Sequence, residues 1–202
     1  MKFFLTSIAF LLLISNSFSQ AKRPIQPTDL VRLQNISDPQ VSPDGQWVAY
    51  TLSTVDTAKD KRNADIWMIS WDGKQNIQLT NTPAGESAPR FSPDGKYISF
   101  LSARKEEAGK DEKNPTSQVW LLDRRGGEGK KLTNIKSDID DYIWSPDGKK
   151  ILLVMKDADY SDTAKDKARD PIVVDRYHFK QDVQGYLNNR RNHLYLFDIE
   201  TK

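Results

Sequence analysis

Serine-based acyl transfer needs a nucleophile on a sharp elbow, a histidine base and an acid to orient it. The nearest string to a Gly-x-Ser-x-Gly elbow is Gly85-Glu86-Ser87-Ala88-Pro89, in which proline replaces the second glycine. It is expected in a connection between repeat units, not in a strand-to-helix turn. Two histidines are present. His193 opens the run His193-Leu194-Tyr195-Leu196, and His178 lies between Tyr177 and Phe179; both settings suit packing or hydrogen bonding better than general-base work. Asp157-Ala158-Asp159-Tyr160-Ser161-Asp162 begins like a calcium loop, but its sixth position is Asp162 instead of glycine and its twelfth is Ala168 instead of glutamate. No glycine-rich phosphate loop occurs. The expectation is therefore no catalytic residue, no metal site and no cofactor site in this chain, with substrate-binding residues unassigned.

What the sequence repeats is structural. Ser-Pro-Asp-Gly is written three times, as Ser42-Pro43-Asp44-Gly45, Ser92-Pro93-Asp94-Gly95 and Ser145-Pro146-Asp147-Gly148, with serines 50 and then 53 positions apart. Serine suits the first position of a type I turn, proline presets φ at the second, aspartate fits the third, and glycine accepts the positive φ that closes the hairpin. After each glycine the third residue is Val48, Ile98 or Ile151 and the fifth is Tyr50, Phe100 or Leu153. Apolar residues two apart mark one face of a strand.

A second apolar strand follows in each unit: Ile66-Trp67-Met68-Ile69, Val119-Trp120-Leu121-Leu122 and Leu194-Tyr195-Leu196-Phe197. Near-continuous runs of this kind predict burial on both faces. Polar turns at Asp72-Gly73 and Gly126-Gly127 lead to short strands ending in Leu79-Thr80 and Leu132-Thr133. From each threonine to the next repeat serine is 12 positions. The prediction is an all-β chain, a partial β-propeller of four-stranded antiparallel blades with two full blades and an interrupted third. The expected blades are about 37–80, 88–133 and 141–202, the last with an insertion at about 157–191.

Residues 1–19 read as a signal peptide. Lys2 supplies the positive region, Phe3 to Ile14 the apolar stretch, and Ser17 and Ser19 the small residues before cleavage. The apolar stretch is shorter than the roughly 20 residues a membrane span needs. Export to a bacterial periplasm is expected, with no membrane association after cleavage. The absence of cysteine leaves no lipid attachment site and no disulfide. Net charge is +2 with both signs mixed throughout, so no basic stripe points to nucleic acid. The region 20–202 is long enough for a sizeable core, which unpaired propeller edges would leave incomplete.

The connection between the second and third strands of each unit is long and charged, through residues 56–62 and 104–113. Such loops are solvated, or they face a substrate or second domain. In the third unit the distance from repeat serine to aromatic strand is 50 positions, against 25 and 28 before. Alternation around Val173-Val174 and Tyr177-x-Phe179 could add a hairpin there. Arg176, Arg190 and Arg191 could grip carboxylates or a neighbouring domain, or pair with Asp170, Asp175 and Asp182.

These units resemble the WD40-like repeat shared by the TolB propeller and the N-terminal propellers of prolyl oligopeptidase family serine peptidases. The stretches Asp175-Arg176-Tyr177-His178-Phe179-Lys180, Gly185-Tyr186-Leu187 and Arg191-Asn192-His193-Leu194-Tyr195 are similar to the acylaminoacyl-peptidase and dipeptidyl-peptidase branch. So is the start, Pro27-Thr28-Asp29-Leu30-Val31 with Ile36-Ser37-Asp38-Pro39-Gln40. The resemblance implies a propeller that caps a C-terminal α/β-hydrolase domain and admits only short peptides. No position of the family's Ser-Asp-His triad maps onto this chain, so the catalytic domain is expected beyond Lys202 and the chain alone is expected to be inactive. The other reading is a non-enzymatic periplasmic propeller, like TolB, that binds a protein partner.

Overall fold

A computed structural model of the chain describes residues 23–105, 115–157, 174, 177–182, 185–186 and 191–201. The proposed signal peptide, the calcium-like string after Asp157 and most of the 157–191 insertion lie outside the described residues. The chain divides into two units, residues 1–32 and 33–202. The described part of the first holds a 3-10 helix, Pro27–Arg32, at whose start Asp29 accepts from the Gln26 amide (2.9 Å) and from the Arg23 guanidinium (2.6 and 2.7 Å).

In the second unit the Ser-Pro-Asp-Gly turn has the same wiring each time. The serine hydroxyl donates to the aspartate carboxylate, at 2.6, 2.6 and 2.5 Å for Ser42, Ser92 and Ser145. The same oxygen accepts the amide five residues on, from Trp47, Tyr97 and Lys150, at 2.9, 3.0 and 2.9 Å. Each aspartate also accepts the amide two residues on. Gly45, Gly95 and Gly148 take φ of 68°, 68° and 69°, a region that costs other residues a steric clash. Ser70-Trp71-Asp72-Gly73 makes the same turn without proline, with Ser70 donating to Asp72 at 2.7 Å and Gly73 at φ 73°.

These turns join antiparallel strands. The first sheet is β1 (Asn35–Val41), β2 (Trp47–Asp56), β3 (Lys61–Ser70) and β4 (Asn76–Gln78), hydrogen-bonded in that order. The second is β5 (Glu86–Phe91), β6 (Tyr97–Ser102), β7 (Gln118–Asp123) and β8 (Lys130–Lys131), again in order. The third comprises β9 (Ile139–Trp144), β10 (Lys150–Lys156) and, after the insertion, β13 (Asn192–Asp198); between them β11 (Lys180–Gln181) pairs with β12 (Gly185–Tyr186). That small hairpin lies just downstream of the alternation read at Val173–Phe179.

The Leu-Thr return is a side-chain device. Thr80 Oγ1 accepts the Ile66 amide at 2.8 Å and Thr133 Oγ1 the Val119 amide at 3.0 Å. Each threonine thus continues the ladder with its hydroxyl after the short outer strand has ended.

Apolar faces of successive sheets meet in two clusters. The first joins Ala49, Ile66 and Met68 of one sheet to Ile98, Phe100, Trp120 and Leu122 of the next. The second joins Leu101 and Val119 to Ile139, Tyr142, Ile151, Leu153 and Met155. The partial propeller read from sequence is present, and residues that alternate on β6 and β7 serve opposite neighbours. β13 departs from the expectation of burial on both faces. Leu194, Tyr195 and Leu196 are 67%, 44% and 64% exposed, because β13 is an edge strand whose far face meets no further sheet among the described residues.

One shared feature was not legible as a motif. Each inner strand carries a β-bulge, between Ser37 and Gln40, between Ser87 and Arg90, and opposite Val154/Met155. Asp38 (φ 49°) and Ala88 (φ 53°) occupy the left-handed region at the first two. A bulge bends its strand and re-aims the adjacent side chains.

Candidate functional site

The bulges bring charged groups of three blades together. Arg90 donates through Nη1 to Asp38 Oδ2 of the preceding blade and through Nη2 to Asp141 Oδ1 of the following one at 3.3 Å. Nη1 also donates to the Pro89 carbonyl at 2.8 Å, and the guanidinium carbon lies 5.9 Å from the Tyr142 ring centre. The Tyr142 hydroxyl is 2.8 Å from Ser99 Oγ and 3.0 Å from the Ala88 carbonyl, and the Trp144 indole donates to Ser99 Oγ at 2.8 Å. Burial pushes the Tyr142 phenol up, with the Ser99 contact opposing, so it stays neutral. This network locks three inner strands together and contains no nucleophile poised beside a base.

A second cluster sits where the first blade hands over to the second. Glu86, at the start of β5, is fully buried. Burial raises its carboxyl above the usual range and the nearby Asp65 adds to that; hydroxyls of Thr82 and Thr80 and the Arg104 charge oppose it. Burial likewise raises Asp65, against hydrogen bonds from Asn63 and Thr82 and contact with Glu86. Asp65 Oδ1 and Glu86 Oε2 lack a hydrogen-bond partner among the described groups. Two close carboxyls in a dry setting favour sharing a proton over carrying two charges.

Sequence reasoning set Gly85–Pro89 in a connection, but Glu86–Pro89 belong to the innermost strand β5. Ser87 is exposed on that strand, which continues to Phe91. His193 on β13 pairs through Nε2 with Asp157 Oδ1 at 2.8 Å, while His178 Nε2 lies 3.2 Å from Gln181 Nε2. Neither partner is a nucleophile. Asp157 also accepts the Arg191 amide at 3.0 Å, so it ties the two ends of the insertion together. Tyr177 is fully exposed. Among the described residues no group of three or more His, Asp or Glu side chains is placed to hold a metal ion.

Sequence reasoning missed Arg90 and gave Glu86 and Arg104 no individual role, naming the first only within the elbow-like string and the second only as the start of a charged loop. Arg104 Cζ lies 3.8 Å from the centre of the Trp120 ring. A sequence-level hint existed for Glu86, which stands where the other two copies of the strand carry Ile36 and Ile139; Arg90 stands where they carry Gln40 and Ile143.

Comparisons with known proteins agree on the architecture. The chain is 28% identical over 185 residues to the uncharacterized peptidase YuxL of Bacillus subtilis, covering 89% of this chain and 27% of that protein. It is 31% identical over 157 residues to dipeptidyl-peptidase 5 of Porphyromonas gingivalis, covering 75% of this chain and 22% of the relative. The chain thus spans about a quarter of the length of these relatives. Among solved structures, acylaminoacyl peptidase of Pyrococcus horikoshii superposes with a TM-score of 0.61 at 23% identity, over 85% of this chain and 24% of that one, a likeness of fold. The TolB beta propeller domain family matches residues 29–171, most of the chain and both complete blades. Repeated turns, four-stranded sheets and this match make the chain a member of the TolB β-propeller domain family.

Proposed function

We propose that this chain is the propeller portion of an exported serine oligopeptidase, whose C-terminal α/β-hydrolase domain carries the catalytic triad and whose propeller restricts access to short peptides. The observation that carries the reading is the 31% identity to dipeptidyl-peptidase 5 over 157 residues, 75% of this chain and 22% of that relative. The described residues hold a rigid scaffold without a nucleophile–base pair. That division of labour fits chemistry done elsewhere on the polypeptide: an acyl-enzyme formed at a serine, with histidine as base. A ring of stiff blades admits an extended peptide and excludes a folded protein by size. The signal-like N-terminus supports a periplasmic location. The match to the TolB domain favours a second reading, a non-enzymatic propeller that binds a protein partner.

A fluorophosphonate probe separates the two. It is expected to label the intact gene product stoichiometrically at one serine and to leave residues 20–202 unlabelled. Labelling of the 20–202 chain overturns the division of labour; an unlabelled intact product that lacks a Gly-x-Ser-x-Gly elbow supports the binding module.

A further inference from the structure

The outer rim of the second blade holds a cleft of about 470 Å³, apart from the Arg90 network. Its floor is Trp120, and one wall is Arg104, stacked on that ring at 3.8 Å and donating to the Gly129 carbonyl at 2.8 Å. The seat is shaped for this guanidinium: a β-carbon at Gly129 would fall 2.6 Å from Arg104 Nη2 and 3.3 Å from the Phe100 ring. Gly129 has no positive φ to explain it, so close packing is what the position demands. A planar cation fixed on an aromatic face is pre-organised for a carboxylate, because little rotamer freedom remains to be lost on binding.

Lys105, Lys130 and Lys131 complete the rim, with Glu128 the one carboxylate among the described lining residues. The three lysines form no ion pair with a described residue. Lys130 and Lys131 form β8, the edge of its sheet, so its outward backbone groups meet no strand among the described residues. An extended peptide laid along such an edge can pair its main chain and present alternate side chains to one face.

We propose that this cleft binds an acidic peptide segment, its side-chain carboxylates meeting Arg104 and the rim lysines and its extended backbone running along β8. The volume suits a few side chains. The cationic patch is too short for a polyanion track, and charge over the whole chain is nearly balanced, which disfavours nucleic acid. The proposal stands whether the gene product is a peptidase or a binding module.

The test uses the intact gene product, with any serine hydrolase activity blocked beforehand by fluorophosphonate. Fluorescein-labelled acetyl-Glu-Ala-Glu-Ala amide and its Gln-Ala-Gln-Ala counterpart are titrated at fixed ionic strength and followed by anisotropy. The Glu peptide is expected to bind at least about tenfold more tightly, the size of losing one charge-assisted hydrogen bond. Lys130→Gln with Lys131→Gln, the first exposed and the second half-buried, should weaken it by a similar factor, and Arg104→Met should do so more strongly. Gly129→Ala is expected to act like Arg104→Met by dislodging the guanidinium. Equal affinity for both peptides overturns the proposal, as does a lysine double variant with unchanged affinity. Displacement by inorganic phosphate at equal concentration overturns it in favour of a small-anion site.

Discussion

Individual side chains here are set by what surrounds them more than by their own type. Asp44 is held down to about 2, first by the Ser42 hydroxyl, then by the Gln46 amide, with Arg124 adding to it. Glu86 moves the other way because it is dry. The two therefore have opposite pH signatures. A depressed carboxyl gives stability that is present above its unfolded value and lost as pH falls toward 2. A raised carboxyl gives stability that is complete below its unfolded value and lost as pH climbs through the raised one. Glu86→Gln keeps the neutral shape and removes the charge. The melting temperature of the variant relative to the parent is expected to be level at pH 4 and to rise between pH 5 and 8. Thermal melts across that range check it; a difference independent of pH would show that Glu86 ionises freely in the fold.

At the scale of the element, the hairpin turn is the best-encoded object in the chain. Four consecutive residues carry its proline, its positive-φ glycine and two side chains that satisfy backbone amides, so local sequence suffices. Ser92→Ala removes a buried hydroxyl that both accepts from Tyr97 and donates to Asp94. It is expected to cost about 1–3 kcal/mol, read as a lower urea midpoint with unchanged slope. Gly95→Ala should cost about 1–2 kcal/mol through φ alone, since its new methyl meets Pro43 at an ordinary 3.7 Å. The aromatic strands and the threonine returns were equally legible, because alternation and spacing are local. The bulges, the Arg90 network and the Glu86–Asp65 pair were not. Arg90 meets partners 52 and 51 positions away, and no short window contains them. An apolar run also reads alike whether one face is covered or two, which is why β13 was misjudged.

At the scale of residues 33–202, the buried apolar residues gather in two clusters between blades. Trp120 belongs to the first inter-blade cluster, donates to the Ser102 carbonyl at 3.1 Å and supports Arg104. The third blade ends this pattern with Ile143, Leu194 and Leu196 more than half exposed, an apolar patch of a kind that soluble surfaces rarely leave open. The 202-residue chain by itself is expected to self-associate with rising concentration, and Leu194→Lys with Leu196→Lys to suppress this. Sedimentation velocity decides; a parent that stays monomeric at high concentration would show the face to be covered.

A β-carbon at Gly95 would fall 3.7 Å from the Pro43 ring and one at Gly148 3.7 Å from the Pro93 ring, so each of these glycines faces the proline of the copy before it. The middle copy of the turn is thus plug to the one before and socket to the one after. A gene that duplicates one whole unit inherits both halves of the joint, whereas splicing in half a unit leaves a socket unfilled. Growth of such an array by tandem copying needs no new boundary to be invented.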